Sequence, residues 1–260
     1  MKRQFLFLFF LCSLLSAQAS VLIVEGKFQN KNIYVHNGYG KEGVGFCVKQ
    51  VKVNGNITTD ETNSSSFEID LRALQLKYGQ SVVIEIQHSE GCVPKVLNLE
   101  DLRPKPSFEV LLLDLTPSGT LKWSTKNEKG VLPFIIEQYK WNKWVSVGVV
   151  EGTGSSERND YSFNVVMHSG QNKYRIKQKG FSSFVKISKD ITAVSELSKP
   201  SFTISKENNT IDFTEDTAYE IYDVYGLILK KGFGKQIAIE NLSKGLYYLC
   251  YDNTVTEFTK

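Results

Sequence analysis

Alternation of apolar and polar residues with a period of two runs through nearly every ordered stretch of this 260-residue chain. No other feature restricts the fold as much. "NIYVHN", "CVKQVKV", "SFEIDL" and "SVVIEIQ" put Val, Ile, Phe and Tyr on one side of an extended backbone and polar residues on the other. Such segments read as β-strands with one face in a core. Asn54-Gly55 falls between "VKV" and "ITT". Both residues of that dipeptide accept the positive φ that a two-residue hairpin turn demands. Only "LRALQLKYG" has a helical look, and it is short. The chain is predicted to be all-β.

Its punctuation divides it. At this length one or two ordinary domains fit, or three small ones. "LRPKPSF" brings two prolines and a change of pattern, which sets a boundary near Pro104. From 105 to 195 the runs "FEVLLLDL", "TLKWST", "PFIIEQYKWNKWVSVGVV", "YSFNVVM" and "NKYRIKQKG" are short strands with turn signals between them, the pattern of a second sandwich. "SELSKPS" is a polar linker before a last module over 200–260, in which Tyr219 to Tyr251 reads as three strands separated by glycine turns. The expected architecture is three tandem small β-sandwich modules, 20–104, 105–195 and 200–260.

Ahead of them Lys2 and Arg3 precede the apolar run Phe5 to Leu15, and "SAQAS" sets Ala17 and Ala19 at the small-residue positions of a cleavage site. A secretory signal over 1–19 is expected, cleaved after Ala19. A membrane anchor is the alternative, but the run is short for spanning. Cys12 lacks the small residue that lipid attachment needs just before it. No later segment is long and apolar enough to cross a bilayer in a chain that is 41% hydrophobic and 23% charged. The formal charge of +3 owes two units to Lys2 and Arg3. Nothing global therefore points to nucleic acid.

An oxidising compartment lets Cys47 in "VGFCVKQ" and Cys92 in "SEGCVPK" form a disulfide, while Cys250 stays alone in the closing strand. The competing reading makes the first two small buried hydrophobes. A zinc site is not expected, because no second CxxC or paired histidine accompanies them.

Catalytic constellations are not apparent. His36, His88 and His168 stand in unrelated contexts, which suggests exposed or capping roles. No Gly-x-Ser-x-Gly, HExxH or EF-hand pattern occurs. "EGTGSS" is a lone glycine pair with no helix after it, so it is no phosphate loop. Glu68 and Asp70 share one face of a strand, with Glu85 as a conceivable partner from a neighbouring strand. A glycosidase needs two carboxyls across a groove, and alternating acids more often form a strand's wet face. No enzyme activity and no cofactor or metal is expected.

A basic and aromatic surface is the more unusual feature. Lys173, Arg175, Lys177 and Lys179 alternate, so all four face one side of a strand. "YKWNKW" adds Lys140, Trp141, Lys143 and Trp144 from a hairpin. Such a ridge beside exposed Trp could bind an acidic glycan or a partner protein. The plain reading is a solvated face that blunts aggregation.

Two resemblances add to this. "LKWSTKNE", "FIIEQ", the Trp hairpin, "VVEGTGSSERNDYSF" and "KYRIKQ" resemble the immunoglobulin-like, fibronectin type III-like modules of secreted Bacteroidota proteins. That likeness implies Trp123 and Tyr174 as core residues on facing sheets and Glu137 with Arg175 as a cross-strand ion pair. "YEIYDVYGLILKKG" and "IAIENLSKGLYYLCY" resemble the C-terminal sorting domain of type IX secretion substrates. The matching positions are Ile221, Tyr222, Asp223, Gly226, Ile239, Leu242, Gly245 and Tyr247, with "KPSFTISKENNT" in place of the usual Pro-Asn-Pro-like opening. Gly226 and Gly245 are expected at turns that need positive φ or close backbone approach. The resemblance implies an accessory or cargo protein of that pathway, at the periplasmic face of the outer membrane or on the cell surface. Its partners would be the outer-membrane translocon, its shuttle protein and an exported adhesin. The alternative from another class is a surface glycan-binding or adhesin-type protein.

Overall fold

The computed structural model describes residues 20–41, 43–181 and 183–260, and the expected signal segment 1–19 lies outside the described residues. The chain divides into two compact units, one ending at Leu102 and the other running from Arg103 to Lys260. Strands dominate both, as the period-two pattern requires.

In the first unit lie β1 (Ser20–Lys27), β2 (Ile33–His36), β3 (Val48–Val53), β4 (Asn56–Ile57), β5 (Ser66–Ile69), β6 (Ser81–His88) and β7 (Lys95–Val96). They form two sheets, ordered β1-β6-β3-β4 and β5-β2-β7. The inward residues of both close one core, in which Ile33, Val35, Ile69, Ile84 and Ile86 are fully buried. This is a β-sandwich. Asn54 (φ 50°) and Gly55 (φ 83°) make the expected hairpin turn between β3 and β4. The helical look of "LRALQLKYG" amounts to a single 3-10 turn at Arg72–Leu74.

The second unit carries two cores rather than one. Around the first are β8 (Glu109–Leu115), β9 (Thr120–Lys126), β10 (Pro133–Lys140), β11 (Lys143–Glu151), β12 (Asn159–Asn164), β13 (Gly170–Lys179), β14 (Val185–Ile187) and β15 (Ile191–Ser195). The sheet β12-β9-β8 faces the sheet β11-β10-β13-β14, to which β15 adds beside β13. Trp123 on one sheet and Tyr174 on the other are both buried in the core between them. Edge-to-face contacts of Phe134 with Phe108 (5.1 Å) and Trp123 (5.8 Å) fill its centre.

The remaining strands are β16 (Phe202–Ser205), β17 (Thr210–Tyr222), β18 (Ile228–Ala238), β19 (Leu246–Tyr251) and β20 (Thr254–Thr259). All five belong to one sheet, ordered β16-β17-β19-β20, with β18 on β17. The register of β17 slips between Asp212 and Thr217, which bends this 13-residue strand. The rings of Phe202 on β16 and Tyr251 on β19 then meet at 5.4 Å although those strands do not pair. The sheet curls over its own core instead of packing on a second one. No helix among the described residues is long and apolar enough to cross a membrane.

Candidate interaction surfaces

The basic strand β13 pairs with β10, which sets Arg175 opposite Glu137. Arg175 Nε donates to Glu137 Oε2 at 2.6 Å, and Lys177 donates to the other carboxylate oxygen. The Glu137 side chain is only 5% exposed. Burial pushes its carboxyl upward, but the hydrogen bonds and charges of Lys177 and Arg175 outweigh it and hold the group below the usual range. Lys173 is taken by Asp190 at 2.8 Å, while Lys179 at the strand end is exposed. The Arg175 guanidinium also lies 4.0 Å from the ring centre of Trp144, which in turn meets Tyr139 edge-on at 5.3 Å. Three of the four cations thus satisfy neighbours within the same unit.

The hairpin residues go elsewhere. Lys140 and Trp141, expected beside an exposed ridge, are buried at 7% exposure each. Trp141 (φ 55°) and Asn142 (φ 60°) form the two-residue turn between β10 and β11. This places a bulky residue in a conformation that costs it energy. Its setting explains why it stays there. Trp141 N–H donates to Asn253 Oδ1 at 3.2 Å, and the Lys140 ammonium lies 4.3 Å over the Trp141 ring. Burial lowers the Lys140 pKa. Lys143 reaches the Tyr222 hydroxyl and pairs with Glu220 at 3.5 Å. Beside this turn Asp252 accepts the Ser169 N–H at 2.7 Å and the Ser169 hydroxyl at 2.6 Å. The turn between β19 and β20 therefore plugs into two turns of the preceding core. Within the second unit, the tryptophan hairpin is a seam between its two cores.

The sorting-like positions separate into core and turn. Ile221, Ile239 and Tyr247 are buried, Leu242 packs against them, and Tyr247 Oη donates to the Ser243 carbonyl at 2.8 Å. Tyr222 lies at the seam. Asp223 organises the turn between β17 and β18, because its Oδ1 accepts the N–H of Tyr225 and of Leu227, each at 2.9 Å. Gly226 has φ 80°, as a turn glycine should. Gly245 departs from expectation. Its φ lies outside the left-handed region, a Cβ there would meet nothing within 4 Å, and its backbone pairs in both directions with Lys260. It lies in the bend that leads into β19, tied there to the chain's last residue. Around the Asp223 turn the apolar side chains point outward: Val224 is 53% exposed, Tyr225 91% and Leu227 62%. In the sequence "DVYGLIL" reads as ordinary strand and turn, and nothing in it marks an exposed apolar tip.

Chemical clusters among the described residues are few. Cys47 and Cys92 are joined in a disulfide, and Cys250 is a buried free thiol whose pKa burial pushes up. Ligand atoms of Cys47, His88 and Cys92 lie within 4.8 Å of one another, but the two sulfurs are bonded and offer no thiolate. Two of the three histidines are buried, against expectation: His88 continues the inward series Val82, Ile84, Ile86 on β6, and His168 lies beneath the seam. Their Nδ1 atoms hydrogen-bond the carbonyls of Ser89 and Ser169. Glu85 is not beside Glu68 and Asp70: it lies on the other sheet of the sandwich, and each of these acids alternates with inward residues. Their outward faces look away from each other, which leaves no groove between them.

No family model matches the chain, and no curated protein matches it in sequence. Three solved structures share 10–12% identity with it. A β-D-glucuronidase from Dictyoglomus thermophilum aligns over 77% of this chain and 39% of its own, with a TM-score of 0.20. A putative β-galactosidase from Bacteroides fragilis aligns over 75% and 34%, with a TM-score of 0.20. The FN1–FN3 domains of chicken CNTN1 align over 92% and 97%, with a TM-score of 0.21. The chain spans well under half of both glycosidase chains. At these scores none of the three carries an argument about function.

Proposed function

We propose that this is a secreted protein without enzymatic activity that works by contact in the type IX secretion pathway, as a translocon-associated accessory protein or an exported cargo. One observation carries the reading. The turn that bears the sorting-like Asp223 and Gly226 also presents Val224, Tyr225 and Leu227 to solvent, held in shape by two backbone hydrogen bonds to a single carboxylate. Clustered exposed apolar side chains on an ordered turn are characteristic of a surface that meets a partner. The Cys47–Cys92 disulfide is in keeping with an oxidising compartment outside the cytoplasm. The ridge lends little to a glycan-binding alternative, since Arg175 already occupies a face of Trp144.

The test is fractionation of a Tyr225→Ser/Leu227→Ser variant. Both side chains are exposed, so the core is left intact. The variant should be made, lose its signal segment and accumulate in the periplasm. Delivery of the variant to the same compartment and in the same amount as wild type would refute the proposal.

A further inference from the structure

Strand β18 pairs with β17 alone, so one edge of its 11 residues has no partner strand among the described residues. Of those residues only Ile237 is buried. A long open edge is a template for another chain, and lysine is a common way to shield it. Lys230, Lys231 and Lys235 lie within six positions, and the strand contains no acidic residue. Lys235 is paired with Glu215 at 3.4 Å, whereas Lys230 and Lys231 form no ion pair among the described residues. Shielding alone does not account for the rest of the strand. Ile228, Leu229 and Phe233 are exposed on it, directly after the apolar turn.

We infer that the open edge of β18 receives an extended acidic segment of another protein, added as a further strand. Backbone hydrogen bonds would hold such a segment; Lys230 and Lys231 project to opposite faces of β18, so acidic residues on one face of the segment would meet one of them, and its apolar residues would pack against the exposed Ile228, Leu229 and Phe233. A second copy of the same strand is the wrong occupant. Pairing two β18 edges sets lysine rows together, and like charges across a ladder are destabilising. The inference concerns the isolated protein and does not depend on the export reading.

Two short synthetic peptides decide it, one alternating Val with Glu and the other Val with Lys, each titrated against the chain from Ser20 onward. The Glu peptide should bind and slow amide hydrogen exchange across Ile228–Ala238. Its affinity should fall about tenfold in Lys230→Gln/Lys231→Gln protein, and added salt should weaken it similarly. The Lys peptide should not bind. The inference is overturned if the Glu peptide fails to bind, if both peptides bind equally, or if exchange in β18 stays unchanged. Unchanged affinity in a folded Lys230→Gln/Lys231→Gln variant has the same force. Should that variant not fold, the two-peptide comparison on the wild-type protein still decides.

Discussion

Glu137 shows how a local sequence pattern can mislead about function. Alternating cations on β13 suggest a partner surface, yet two of them converge on one buried carboxylate. Replacing Glu137 with Gln leaves Arg175 and Lys177 without their acid. It should cost about 1–3 kcal/mol in a urea titration at neutral pH, since breaking a largely buried pair strands the remaining charges. Lys177→Ser should destabilise as well, because Lys177 shares that carboxylate. The pH dependence has a defined sign. The folded-state pKa of Glu137 is depressed, so its contribution is present above the unfolded value near 4.5 and is lost as pH falls through the folded value. Wild type should therefore lose more stability than Glu137→Gln between neutral and acidic pH. Equal losses would mean that the ion pair contributes nothing. Burial of His88 was legible beforehand, since "SVVIEIQH" keeps it in phase with Val82, Ile84 and Ile86. Burial of Trp141 was not, because it depends on contacts 112 residues further along.

Among elements, turns and glycines discriminate most clearly. Asn54-Gly55 could be read as a hairpin because the dipeptide carries its own backbone preference. Gly245 could not be placed, because a glycine in sequence does not reveal whether its φ is positive. The structure now predicts that Gly245→Val leaves stability within about 0.5 kcal/mol of wild type, as for an open surface position. Gly232→Val should behave differently: a Cβ there would lie 2.6 Å from the Tyr219 hydroxyl and 2.8 Å from its Cζ. Crowding of that kind typically costs about 1–3 kcal/mol. Chemical denaturation of the two variants side by side checks the contrast, and similar losses would contradict it. The strand pattern fixed the all-β class, but the bend in β17 that curls one sheet over itself needs a three-residue slip that period-two counting does not register.

For the whole molecule, the disulfide and the seam act on different units. Cys47 and Cys92 are 45 residues apart, so the cross-link should be worth about 4 kcal/mol from loop-closure entropy. Calorimetry under reducing conditions should lower the transition of the first unit and leave that of the second in place. A uniform shift of all transitions would contradict the division at Leu102. The seam also changes what a truncation can show. Removing residues 200–260 would uncover Lys140 and Trp141, so loss of function in that truncation could reflect damage to the preceding core. Substitutions at the exposed turn avoid this. The most direct measurement is a pull-down of tagged wild type and Tyr225→Ser/Leu227→Ser protein from solubilised outer membranes, with the co-purifying proteins identified by mass spectrometry. Wild type should bring down the barrel of the type IX translocon, and the variant, folded and equally abundant, should not. Recovery of the same partners with both proteins, or of no translocon component with either, would contradict the account.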